Sequence, residues 1–297
     1  MLALFVLTWS SLGVVGALDS PANGPHIHAL AADPSCGDYD ESGHDTTMLL
    51  QMKHRLERGE TQHVSILETC PLEKFQSSLA WLLKNELLLE SNVTNSAETR
   101  YLELAEQQQC ELGPEWYLSQ KQLIVNVGEG TTATRWLDDV MEALGFNTRH
   151  FFAHNQGPVN GSFEVDQSEF ISDYPTSTLT WQITQSHPRA LFVMTMRDPV
   201  EWRDRRMEEH NHSRQGVPCG MAYLEDANNP AERTYVAYSA WASCVAPADN
   251  FLAANFFVKK EKNDAEFLEK LIHMLETRGL QKPDWENRKA RVRATFL

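Results

Sequence analysis

In the stretch PLEKFQSSLAWLLKNELLLE, residues 71–90, apolar side chains fall at Phe75, Leu79, Leu82, Leu83 and Leu87. That three- and four-residue spacing predicts an amphipathic helix, with Pro71 suited to its first turn. The same period places a helix before it, with Leu49, Met52 and Leu56 on one face and Gly59 as its end. A third follows in SAETRYLELAEQQQCEL, opened by Ser96 with Thr99 three residues on. Residues 46–113 therefore read as a small helical region. After Gly113-Pro114 the pattern changes. Short apolar runs near 122–127, 148–153, 168–172, 190–196 and 251–257 have the length of buried strands. They alternate with helical patterns near 132–144, 176–187, 199–211, 231–245 and 264–278. Such alternation predicts an α/β domain over residues 120–297, its helices packed on a central parallel sheet. Trp136, Leu137, Val140, Met141 and Leu144 form the stripe of the first of these helices, and Gly145 suits its C-terminal stop. Phe267, Leu268, Leu271, Ile272 and Leu275 form that of the last.

The N-terminal pattern is different again. A largely apolar run ends in Val15-Gly16-Ala17, which fits signal-peptide cleavage after Ala17. The alternative is a short type II anchor, and both put the remaining chain in a secretory lumen. Residues 18–45, rich in Pro, Gly, Asp and Ser, read as a flexible linker. No other apolar run reaches the ~18 residues of a spanning helix, so no further membrane span is expected. Asn92, Asn160 and Asn211 each open an Asn-x-Ser/Thr acceptor for N-glycosylation, consistent with a lumenal chain. Five cysteines, Cys36, Cys70, Cys110, Cys219 and Cys244, leave one unpaired in an oxidising compartment. Cys219 and Cys244, in the same half of the chain, are the preferred pair; free buried thiols are the alternative.

Charge narrows the function. With 41 acidic against 26 basic residues, the formal net charge is −15. That balance excludes a broad nucleic-acid or anionic-membrane surface and leaves local anion sites open. EEHNHS places His210 and His212 two residues apart without further ligands, and no metal site is expected.

Two elements have the positions where an open parallel sheet collects ligands, the carboxyl ends of its strands. The first is the loop GEGTTATR, Gly128 to Arg135, between a strand and a helix. It lacks the Gly-Lys-Ser/Thr of a nucleotide triphosphatase, yet its N–H groups and threonines at a helix start suit an anion. The alternative is a plain turn with threonine caps. The second is MTMRDPVEWRDRR, where Arg197 ends an apolar run and Pro199 opens a helix.

Gly128 with Thr132-Ala133-Thr134, then Asp173-Tyr174-Pro175, then Arg197-Asp198-Pro199 with Trp202 resemble the motifs of the P-loop sulfotransferase family. They are closest to the branch with a Gly-x-x-Arg-Thr-Gly-Thr loop, an Asp-x-Pro and an Arg-Asp-Pro-x-x-Trp strand end. The likeness covers roughly residues 120–285. It implies a P-loop-type three-layer α/β fold. It also implies binding of 3′-phosphoadenosine-5′-phosphosulfate (PAPS) and transfer of its sulfuryl group to a hydroxyl acceptor, such as a glycan, without a metal. Gly130, Thr131, Thr132, Ala133, Thr134 and Arg135 would cradle the phosphosulfate, and Arg197 and Arg205 the 3′-phosphate. Asp173 would serve as base or position the acceptor, and His154 is a second candidate base. The sequence departs from the family at Thr131, where a basic residue is usual, at Ala133, where a glycine is, and at Arg205, where a serine is. Arg135, one turn on, would replace the missing loop charge. Glu129 is expected to face away from the donor or act on the acceptor. The alternative is a catalytically inactive relative, secreted as a nucleotide- or glycan-binding protein.

Overall fold

The computed structural model describes residues 58, 60–150, 161–210, 214–223, 231–256 and 260–297. Two short strands, β1 (Gln62–Ser65) and β2 (Gln109–Leu112), pair antiparallel. Between them in the chain run the helices Leu72–Lys84 and Ala97–Gln107. The second helix does not use Ser96 as a side-chain cap. Ser91 instead forms a reciprocal box with Thr94 at the head of the short helix Asn92–Asn95.

The apolar runs further on form β3 (Ile124–Asn126), β4 (Thr148–His150), β5 (Phe170–Ser172), β6 (Leu191–Met196) and β9 (Phe251–Asn255). All pair in parallel in the order β4-β5-β3-β6-β9. Between β6 and β9 in the chain, β7 (Arg214–Val217) and β8 (Gly220–Tyr223) make a separate antiparallel hairpin. Every residue of β3, β5 and β6 is buried, as expected of strands covered on both faces.

Strand alternation divides the core in two. Ile124, Phe170, Leu191 and Val193 meet Leu137, Val140, Met141 and Leu144 of helix Thr134–Leu144, with Phe267, Leu268 and Leu271 of helix Lys260–Thr277. Val125, Ile171, Phe192 and Met194 meet the opposite layer, which contains helix Ala231–Val245 and the N-terminal helices through Phe75, Leu82, Tyr101 and Leu104. The result is a three-layer α/β fold on a five-stranded parallel sheet. All described residues belong to one compact unit, Asp45–Leu297.

Two further elements differ from expectation. The pattern at 176–187 divides into a 3₁₀ turn, Thr176–Leu179, and a short helix, Thr180–Ser186. Thr178 and Thr180 hydroxyls donate to the carbonyls of Pro175 (2.7 Å) and Ser177 (2.9 Å), a local bonding that favours the tighter turn. A terminal helix, Trp285–Phe296, had no clear apolar stripe, because only Trp285, Lys289 and Val292 of it are buried. The expected helix over 49–56 lies outside the described residues.

The cysteine pairing is corrected. Cys219 and Cys244 do not bond to each other: Cys70 pairs with Cys244 and Cys110 with Cys219, at Cα separations of 6.0 and 4.8 Å. Helix Ala231–Val245 packs against the N-terminal helices, which brings Cys244 to Cys70. Cys219 sits in the β7–β8 turn, beside β2. Cys36 lies outside the described residues. Two disulfides suit an oxidising compartment. Among the described residues, no helix is long and apolar enough to cross a membrane.

Candidate functional site

From β3 the chain crosses to β4 and β5 on one side, and from β6 to β9 on the other. The carboxyl ends of β3 and β6 therefore flank a switch point, the place where open sheets of this kind form a crevice. The loop after β3 is fastened there by its own sequence. Asn126 and Thr195 share one sheet face, and Asn126 Oδ1 accepts the Gly128 N–H (3.0 Å) and the Thr195 N–H (3.3 Å). This draws Gly128 onto β6, where a Cβ would stand 2.4 Å from the Thr195 carbonyl oxygen. Thr132 Oγ1 donates to the Glu129 carbonyl and lies 2.9 Å from Thr195 Oγ1. Thr132 is thus an internal brace. Thr131 and Ala133 both take φ 70°, left-handed geometry that favours glycine and is costly for a β-branched residue. The Thr131 hydroxyl is buried without a hydrogen-bond partner. Orphaned polar atoms and strained backbone gather at functional sites.

The Arg-Asp-Pro-x-x-Trp segment holds the loop from the other side. Trp202 Nε1–H donates to the Gly130 carbonyl (3.0 Å) while its ring stacks on Tyr235 at 4.6 Å. Arg197 Nε donates to the Thr131 carbonyl (3.0 Å), and its Nη1 pairs with Glu201 at 2.7 Å. Burial pushes the Arg197 guanidinium below its usual pKa, against the opposing pull of Glu201. Asp198 caps the following helix, accepting the N–H groups of Val200 (3.0 Å) and Glu201 (3.1 Å). Farther along that helix Arg206, only 8% exposed, reaches back over the loop. A Cβ on Gly130 would meet Arg206 Nη1 and Asp173 Oδ1, each at 2.7 Å. The absence of a side chain at Gly130 lets this cation and this carboxylate close on the loop.

A titratable pair completes the site. His150 ends β4 in register with Ser172 of β5, and Asp173 follows at φ 64°. His150 Nε2 lies 3.3 Å from Asp173 Oδ2 and 3.3 Å from Thr134 Oγ1, at the head of helix Thr134–Leu144. Asp173 Oδ1 also accepts the Tyr174 N–H at 2.7 Å. One turn along the helix, burial raises the pKa of the Asp138 carboxyl, opposed by His150 and by a hydrogen bond from Thr148. An imidazole held by a carboxylate beside a helix N-terminus has the parts for proton transfer next to an anion.

The expected site residues divide. Gly130, Thr131, Ala133, Thr134, Asp173 and Arg197 converge at the switch point. The Asp173 carboxylate turns to His150 and Thr134. Arg135 is exposed and makes no hydrogen bond or ion pair among the described residues. Arg205 is exposed too. It pairs with Glu208 at 2.9 Å on the surface, and Arg206, one position on, takes the inward face. Glu129 is 4% exposed, and its charge helps raise the pKa values of the buried Tyr235 and Tyr238 phenols after burial itself. His154, His212, Asn160 and Asn211 lie outside the described residues, while Asn92 is exposed. His150 and Arg206 were missed as site residues. The period-two pattern Thr148-x-His150 beside β5 was the available signal for the first. Among the described residues, no group of three or more His, Cys, Asp or Glu is placed to hold a metal ion.

Fold and site define a three-layer α/β protein with a glycine-started loop, two inward arginines and a His–Asp pair at its switch point. The chain matches no model of a known protein family and no curated protein.

Proposed function

We propose that the protein transfers a sulfuryl group from PAPS to a hydroxyl acceptor in the secretory lumen, a glycan hydroxyl being the class that compartment favours. The observation that carries this reading is the meeting of the loop, Arg206 and the His150–Asp173 pair around Gly130. The residues fit a phosphosulfate: a buried hydroxyl without a partner at Thr131, a helix N-terminus at Thr134 and a guanidinium over a side-chain-free Gly130. Thr131, Thr134 and Arg206 would hold that end. Arg197 would hold the 3′-phosphate, with Arg205 near enough to lower its pKa. When bound, PAPS supplies an activated sulfuryl group on a phosphate leaving group.

The chain's own part is binding, orientation and proton handling. With Nε2–H donating to Asp173, His150 keeps its lone pair on Nδ1, the atom that takes the acceptor's proton. Asp173 fixes that tautomer and stabilises the imidazolium that forms. Arg206 offsets negative charge growing beside the loop, the role that the exposed Arg135 does not fill.

A second reading is favoured by the buried Glu129 and by the lack of a basic residue at Thr131. It is a secreted, non-catalytic protein that binds a nucleotide or a glycan. Transfer of labelled sulfate from PAPS to a panel of glycans tests the choice. Incorporation that falls about 10²-fold or more in His150→Ala supports the enzyme. No incorporation by a chain that still binds the desulfated nucleotide supports the second reading.

A further inference from the structure

Arg197 meets an anion that belongs to the chain itself. Its Nη1 lies 2.7 Å from Glu201 Oε1, four residues on in the first turn of helix Pro199–His210. The two side chains are unequally placed. That of Arg197 is 10% exposed and is fixed by its Nε bond to the Thr131 carbonyl (3.0 Å), whereas that of Glu201 is 44% exposed. The arginine belongs to the crevice and the glutamate to its rim.

The spacing continues along the helix. Arg197, Glu201, Arg205 and Glu209 follow one another at intervals of four, which sets them in a row of alternating charge. Burial lowers the Arg197 pKa, Glu201 opposes that, Arg205 adds to it and Glu209 opposes it again, so the charges of this row are felt at Arg197. Glu201 stands between the two arginines in the row, where a phosphate shared by Arg197 and Arg205 would have to sit. Bidentate binding of a phosphate takes two N–H groups of a guanidinium. Two nitrogens of Arg197 already have acceptors, the Thr131 carbonyl and Glu201. The carbonyl is part of the loop. The carboxylate, on a flexible and half-exposed side chain, is the acceptor that can leave, since an ion pair open to water holds it only weakly.

We propose that Glu201 is a tethered anion that occupies Arg197 between one nucleotide and the next and competes there with the 3′-phosphate. This rests on the assignment of Arg197 to that phosphate. Glu201 keeps the buried guanidinium compensated until the exchange. Its carboxylate then turns out to the rim, where its like charge loosens the hold on the nucleotide. The donor and its desulfated product carry the same 3′-phosphate, so the same residue eases product release. A glutamate that only buttressed Arg197 would strengthen nucleotide binding instead, and the sign of one substitution separates the two.

The test is calorimetric titration of the full chain with 3′-phosphoadenosine-5′-phosphate and, separately, with AMP. Glu201→Gln keeps the shape of the side chain and removes its charge. Glu269→Gln removes the same charge from a pair with Arg293 (2.6 Å) between helices Lys260–Thr277 and Trp285–Phe296, and is the control for net charge. Glu201→Gln should bind 3′-phosphoadenosine-5′-phosphate about tenfold more tightly than the wild type, as removal of a like charge beside the ligand requires. No comparable gain is expected with AMP, which lacks the 3′-phosphate, or in Glu269→Gln. Unchanged or weaker binding in Glu201→Gln, with the wild type binding, overturns this proposal and leaves the donor site standing. An equal gain with AMP, or in Glu269→Gln, also overturns it. Absence of binding by both the wild type and Glu201→Gln overturns the assignment of the crevice to the donor, and this proposal with it.

Discussion

Gly128 and Ala133 bracket the loop and face opposite demands. At Gly128 the constraint is space, since a Cβ would strike the backbone and side chain of Thr195. Gly128→Ala is expected to cost ~1–3 kcal/mol in urea unfolding, because β6 is held on both sides and does not yield. At Ala133 the constraint is conformation, with φ 70° at the head of a helix. Ala133→Gly should stabilise the fold by about 1 kcal/mol, and a loss of stability there would contradict the strained geometry. His150 is a residue of another kind. It is partly exposed at a strand end, so His150→Ala should leave the melting temperature nearly unchanged while removing proton transfer. These residues were unequally legible in the sequence. Gly128, Asp173 and Arg197 stood in recognisable motifs. Arg206 was hidden because which arginine of Arg203, Arg205 and Arg206 turns inward depends on how the helix sits on Trp202. His150 was hidden because its partner comes from a neighbouring strand more than twenty residues away.

At the scale of elements, the strands of the sheet were readable because burial on both faces makes them short continuous apolar runs. The hairpin β7–β8 and the pair β1–β2 were not, since each strand is only four residues long and β2, where Cys110 and Leu112 do alternate with polar residues, continues a helical pattern. The connections at the amino edge of the sheet carry a prediction of their own. His187 is fully buried just before β6, with Nε2 3.2 Å from Asp166 Oδ1 and Nδ1 2.8 Å from Ser186 Oγ. Burial lowers its pKa from 6.5, Lys121 adds to that, and Asp166 opposes it. The folded chain therefore keeps His187 neutral at pH values where the unfolded chain takes up a proton. Its contribution to stability is complete above the unfolded value of about 6.5 and is lost as the pH falls through it toward the folded value. Urea midpoints should drop between about pH 7.5 and about pH 5, and His187→Gln should flatten that slope. An equal slope in the variant would place the effect elsewhere.

At the scale of the molecule, the two disulfides join the N-terminal region to the later part of the chain across 174 and 109 residues of sequence. Sequence proximity had suggested the wrong pair. Chain distance says little once helix Ala231–Val245 is wrapped by helices from the other end. Replacing Cys70 and Cys244 together by serine should lower stability by roughly 2–5 kcal/mol in chemical unfolding, as loops of that length imply. The same wrapping holds helix Pro199–His210, through Trp202 and Tyr235, in the place from which Arg206 and Arg197 reach the loop. The most direct test of that arrangement is thermal unfolding of the full chain with 3′-phosphoadenosine-5′-phosphate and, separately, with AMP. The first ligand should raise the melting temperature and AMP should not. Arg206→Ala and Arg197→Ala should each abolish the shift, measured against the melting temperature of the same variant without ligand. Equal shifts with the two nucleotides, or a full shift retained in both variants, would contradict the assignment of this crevice to the sulfuryl donor.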